Sequence, residues 1–176
     1  MKTPERTELS IDVPLVHVYE VDEEVNADVS KMMLHSDTYY FDNPVNVWDK
    51  QYSELEKLFE SIVFAVRNYA QLVDPSTFKL ELDGWCVTTP ASNTHMIKHH
   101  HADHADIVAI YYAVNDNSFD QGAIVLFNER DEQILQHSPL PRQLLLFPGN
   151  WNHQVLPYTG ARLSIATNVR VHKTAE

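Results

Sequence analysis

From Phe78 onward the apolar residues come in short runs separated by turn residues, and this pattern limits what the chain can fold into. The runs read FKLELDGWCVTT, HMIKHHH, DIVAIYYAV, GAIVLFN, RQLLLFPG, NHQVLPY and RLSIATNVRVH. Pro90, Asn115-Asp116, Gly122, Pro139, Pro141, Pro148-Gly149 and Thr159-Gly160 punctuate them. Short β-branched and aromatic runs bounded by such residues are strands, and this many of them make a sandwich or barrel. Before them the period changes: Leu55, Leu58, Phe59, Ile62, Val63, Val66 and Tyr69 recur at spacings of three and four, one apolar face of a helix that Pro75 stops. IDVPLVHVYE reads as a first strand. The expectation is a single mostly β domain over 1–176, with an N-terminal strand and helical support over 1–80 and a jelly-roll core over 81–172.

Composition narrows the function. A chain of 176 residues buries about 70% of the surface its unfolded form exposes and needs no metal merely to fold. Cys86 is the only cysteine, which excludes an internal disulfide framework and Cys-rich zinc sites. The formal charge of -12 argues against a nucleic-acid partner, since phosphate neutralisation requires clustered Lys and Arg. No apolar segment has the length of a membrane span and the N-terminus lacks an apolar leader, so a cytoplasmic protein with no membrane partner is expected. Oligomeric state is not readable from these features.

One strand boundary is unusual. IKHHHADHADIVAIYYAVND places His99, His100, His101, Asp103, His104 and Asp106 immediately before an apolar strand. Residues two apart on a strand point the same way, so His101 and Asp103 can present an imidazole and a carboxylate to one point. His153, just past an apolar run and a Pro-Gly turn, is the candidate for a third ligand. Two histidines and a carboxylate form the facial triad of non-haem Fe(II) oxygenases, which leaves three octahedral positions open. Arg162 then sits on a strand otherwise filled by Leu163, Ile165 and Ala166, where a buried charge requires a partner. A carboxylate held bidentately fits a guanidinium best, with Ser164 on the same face.

HADHADIVAIYYAVND, DQGAIVLFNERD, LLLFPGNWNHQV and TGARLSIATNVRV together resemble the core of the Fe(II)/2-oxoglutarate-dependent oxygenases, in particular small prolyl-hydroxylase-like or phytanoyl-like members. The resemblance covers roughly residues 84–171 and implies a double-stranded β-helix. It implies that His101, Asp103 and His153 hold Fe(II) and that Arg162 and Ser164 hold the distal carboxylate of 2-oxoglutarate. Tyr111 and Tyr112 lie on opposite faces of one strand, so one faces inward; periodicity does not decide which, and Tyr112 is taken as the candidate beside the cosubstrate. The implied activity is a dioxygenase that uses O2 to hydroxylate a small metabolite or a peptide side chain.

Alternatives remain within this reading. His104 with Asp106 forms a second H-x-D, and His100 with Ala102 would lack the carboxylate, as in halide-binding members of the superfamily. His99 shares the face of His101 and is expected near the site. Trp85 is expected in the core or as a wall of the pocket, and residues 36–48 as a lid or a packed loop. A cupin-like metalloprotein without 2-oxoglutarate, a non-enzymatic jelly-roll binding protein and a zinc hydrolase are the rival functions.

Overall fold

A computed structural model of the chain describes residues 5–7, 16–35, 46–50, 52–70, 78–89, 94–117 and 121–173. Ten strands form two antiparallel sheets, and two helices cover one of them. The strands are β1 (Glu5–Thr7), β2 (His17–Glu20), β3 (Phe78–Thr89), β4 (Thr94–His99), β5 (Ile107–Asn115), β6 (Ile124–Phe127), β7 (Gln133–His137), β8 (Gln143–Pro148), β9 (Asn152–Tyr158) and β10 (Arg162–Lys173). The larger sheet has the order β1-β2-β8-β5-β10-β3, and the smaller has β4-β9-β6-β7. From β3 to β10 the chain alternates between the sheets except at the β6–β7 hairpin, both of whose strands lie in the smaller sheet, and this is the double-stranded β-helix. The N-terminal β2 extends the larger sheet by pairing with β8.

The alternation of side chains along β5 and β10 builds two cores. Ile107, Ala109, Tyr111 and Ala113 of β5, with Leu163, Ile165 and Val169 of β10, face helix α1 (Glu23–His35) and helix α2 (Ser53–Tyr69). Val108, Ile110 and Tyr112 face the other way, toward Ile124, Leu126, Phe147 and Trp151 between the sheets. Helix α2 seals the first core with Leu55, Leu58, Ile62, Ala65 and Val66. Each fully buried Leu or Ile there contributes roughly 1.5–3 kcal/mol relative to an exposed one.

The expected strands appear, with β3 spanning Phe78–Thr89 and β5 ending at Asn115. Helix α1 and strands β1 and β7 are additional. Among its described side chains, helix α1 seats Val25 and Val29 in the core, one turn apart. Strand β7 carries a single fully buried apolar residue, Leu135, inside DEQILQH. His137, which that polar context marks as exposed, is half-buried and meets Gln143 Oε1 at 2.9 Å. Residues 36–45 of the expected lid lie outside the described residues; Val47 and Trp48 begin a short 3-10 helix that packs on β3.

Trp48 lies directly over Gly84, where an added Cβ would overlap the indole. Asn46 locks the same contact: its Oδ1 accepts from Gly84 N at 3.0 Å and its Nδ2 donates to the Leu82 carbonyl at 3.1 Å. Gly84→Ala therefore displaces Trp48 and is expected to cost about 1–3 kcal/mol, as overpacking does. Urea denaturation would show this as a lower midpoint with an unchanged slope.

Candidate metal centre

Strands β4 and β9 pair so that His99 and His153 are directly opposite. Both rings turn into the space between the sheets, with centroids 4.3 Å apart. His101 lies two residues past the end of β4 and stacks on His153 at 5.1 Å and 14°. One ring nitrogen from each of His99, His101 and His153 lies within 4.8 Å of the other two. That is a spacing a single metal ion can bridge.

The turn that carries His101 is held from three sides. His101 N donates to the Gly149 carbonyl at 2.9 Å, and Gly149 N donates to the Asp106 carbonyl at 2.9 Å. A Cβ on Gly149 would overlap the Ala105 carbonyl oxygen, so the β8–β9 turn can approach this closely only as glycine. Arg170 donates from Nε to the His104 carbonyl at 3.0 Å and from Nη2 to the Asp103 carbonyl at 2.5 Å.

Asp103 sits on this turn with an exposed side chain, and its carboxylate is not part of the three-nitrogen cluster. The second H-x-D is engaged elsewhere. His104 is exposed, and Asp106 Oδ2 accepts from Val171 N at 2.8 Å on the far side of the turn. His100 is exposed and accepts or meets only the nearby Ala102 N at 3.3 Å.

The cluster opens into a cavity of about 310 Å³ whose walls include Trp85, Ile110, Val155, Arg162 and Ser164. Trp85 stacks on His101 at 5.9 Å, so it is a wall of the pocket rather than a core residue. Arg162 is buried and touches Ser164 Oγ through Nη1 at 3.4 Å, while its Nε has no partner. Its guanidinium lies over the Tyr112 ring, 5.1 Å from the centroid. Among the described residues no carboxylate pairs with it. A register shift between β5 and β10 at Leu163/Ser164 lies beside it, the kind of bulge that re-aims a side chain.

The two tyrosines separate cleanly. Tyr111 Oη donates to Asn26 Oδ1 of α1 at 2.5 Å, on the helix side. Tyr112 points to the cavity side; its hydroxyl is buried without a well-formed hydrogen bond, and burial raises its pKa, offset in part by the Arg162 charge. Cys86 belongs to the helix-side core, where burial pushes its thiol up to about 11 and leaves it unreactive. A larger hollow of about 390 Å³ between Trp48 and α2 contains neither a ligand cluster nor a buried cation.

Burial pulls the His101 pKa down to about 4, with His99, His104 and His100 adding to the effect. Burial likewise pulls His153 down to about 3, with His99 and His101 adding, while a backbone contact at Trp151 offsets a little. Both rings are therefore neutral near pH 7, the form that binds a metal. The donor set suits a divalent transition metal, and the unpartnered His153 Nδ1, Arg162 Nε and Tyr112 Oη are polar atoms left for ligands to satisfy.

No family model and no curated protein matches the sequence. Solved structures do match the fold. A prolyl hydroxylase from Trichoplax adhaerens, in complex with a hypoxia inducible factor oxygen degradation domain peptide fragment, aligns with TM-score 0.65 and 15% identity, covering 90% of this chain and 84% of that one. A Pseudomonas putida prolyl-4-hydroxylase aligns with TM-score 0.64 and 15% identity over 99% of this chain and 97% of that one. A non-heme alpha ketoglutarate dependent epimerase from nogalamycin biosynthesis aligns with TM-score 0.63 and 10% identity over 91% and 80%. The chain thus has the jelly-roll fold of the 2-oxoglutarate–Fe(II) oxygenases. No helix among the described residues is long and apolar enough to cross a membrane.

The depressed histidines fix a pH dependence. Below pH 6.5 the unfolded chain takes up protons that the folded one refuses, so acidification favours unfolding. Stability of the metal-free protein is expected to be flat above pH 6.5 on this account and to fall between pH 6.5 and about 4. His153 contributes at most about 1.4 kcal/mol per pH unit, and the more accessible His101 less. Urea midpoints at pH 7.5, 5.5 and 4.5 would show the decline, and His153→Phe should make it shallower.

Proposed function

We propose that this chain is an Fe(II)/2-oxoglutarate-dependent oxygenase. His101 and His153 bind the iron, Asp103 is the carboxylate that the H-x-D pattern offers beside them, and Arg162 with Ser164 binds the distal carboxylate of 2-oxoglutarate. The observation that carries this reading is Arg162. A guanidinium 2% exposed, with no carboxylate partner among the described residues, shares one cavity with His101 and His153. An unpaired buried charge is too costly to retain without a ligand that pays for it. A cupin-like metalloprotein or a non-enzymatic jelly roll would give that residue no task.

When bound, iron and 2-oxoglutarate would supply the electrons that activate O2, and the protein supplies position and a dry cavity. The chain's own residues fit that division of labour. Neutral His101 and His153 offer lone pairs without first losing a proton. Arg162 fixes the cosubstrate by charge and fork geometry, Ser164 offers it a hydroxyl, and Tyr112 offers it a second one. Trp85, Ile110 and Val155 exclude water from the space beside the metal. No nucleophile or general base is required of the protein.

The fold's peptide-bound relative and the small cavity both fit a peptide side chain or a small metabolite as substrate. The epimerase relative shows that this fold is compatible with outcomes other than hydroxylation.

Anaerobic addition of 2-oxoglutarate to the Fe(II)-loaded protein is expected to produce the weak visible charge-transfer band of the chelate. Arg162→Ala should require about tenfold to a hundredfold more cosubstrate, the loss of a hydrogen bond to a charged group. Iron binding with no band at any concentration would instead establish the cupin-like reading.

A further inference from the structure

The hollow between Trp48 and α2 has walls unlike those of the histidine cavity. Trp48, Tyr52 and Phe59 line it with aromatic rings, and Glu56 is the one charged side chain among the described lining residues. We infer that this hollow is a second binding site, and that its ligand is an alkylated ammonium cation carried on a small molecule. The site is separate from the metal centre. Gly84 of β3 lies under Trp48 on this face of the sheet, while its neighbour Trp85 lines the metal cavity on the other.

The geometry is that of an open cage. Tyr52, Glu56 and Phe59 recur at helical spacing, so the start of α2 presents all three to one side. The rings of Trp48 and Phe59 meet with centroids 5.5 Å apart and planes at 58°, which makes a corner rather than a flat wall. Its indole side is fixed in advance. Asn46 Oδ1 accepts from Trp48 N at 3.2 Å and from Gly84 N at 3.0 Å, so the indole is seated on β3 before any ligand arrives. Tyr52 and Phe59 stay 40% and 37% exposed, although Leu55 between them is buried. Aromatic surface left facing water in a concave place is surface that a ligand can cover.

Electrostatics selects the class of ligand. Aromatic faces carry negative potential and attract cations. Glu56 adds a full negative charge, and among the described residues no cation pairs with it. The N-terminus of α2 carries about half a positive charge, which Glu54 and Glu56 in its first turn more than offset. An anion would meet Glu56 with nothing beside it to neutralise the repulsion. A primary ammonium would bring N–H donors that need acceptors, and these walls are mostly rings. An alkylated ammonium brings methyl groups in their place and lays them against the rings. The enclosed volume of about 390 Å³ falls within the range of small-molecule pockets, enough for such a head and a short chain.

The test titrates choline into the full chain and follows the indole N–H signals in nitrogen-proton correlation NMR spectra. Trp48→Phe identifies the Trp48 signal by deleting it. That signal is expected to shift with a dissociation constant on the order of 1–10 mM. The signal of Trp151, which lies between the sheets, should stay in place. The uncharged analogue of choline, with a tert-butyl group for the trimethylammonium, should bind at least about fivefold more weakly. Phe59→Leu keeps an apolar residue but removes a ring, and should weaken choline about fivefold. Glu56→Gln should weaken it about twofold to threefold, as the loss of an exposed charge partner does. Thermal melts check that both variants fold. Equal binding of the charged and uncharged molecules, or no shift of Trp48 at about 50 mM choline, would overturn the inference. Choline binding that neither variant weakens would overturn it as well.

Discussion

Strand β10 is buried on both faces, and the architecture follows from what each face is asked to meet. Residues Arg162 to Val169 are all buried. The odd-numbered positions Leu163, Ile165 and Val169 close the core under the helices, while Arg162 and Ser164 project between the sheets. An antiparallel strand in this position normally has one apolar face and one wet face. Here the second face is neither: it is enclosed and polar. The larger sheet must therefore supply both the adhesive for the helices and the floor of a cavity.

Enclosing Arg162 with no carboxylate partner among the described residues opposes folding, as does keeping two imidazoles neutral in a dry place. These costs concentrate around one cavity, and the remainder of the fold offsets them through well-packed apolar contacts such as Leu58, Ile62, Leu144 and Leu146. The turn that carries His101 is likewise fixed through its backbone. Gly149 and Arg170 reach carbonyl and amide groups on residues 101–106, so imidazoles from β4 and its turn meet one from β9 at a defined place.

Much of this was legible in the sequence. Seven of the strands and the long helix follow from period and punctuation, because a change from spacing of three and four to spacing of two is a local property. Arg162 stood out because a charge among Leu163, Ile165 and Ala166 breaks the local rule, and such breaks gather at sites. Strand β7 was not legible, since its one buried apolar residue, Leu135, is lost among polar neighbours. The histidine cluster was visible, but which of its members face one another across paired strands was not. A motif counts residues along the chain, whereas ligand geometry depends on which residues a neighbouring strand places opposite.

The sequence by itself determined the class of fold, the pair His101 and His153, and the anomaly of Arg162, because each depends on residue type and short spacing. Only the tertiary structure decided that His99 faces His153 across β4 and β9, that Trp85 lies against His101, and that Tyr112 rather than Tyr111 lies beside Arg162. Those relations are set by strand register and by which sheet each strand joins. Register is a contest among long-range pairings, and no window of the sequence contains both contestants.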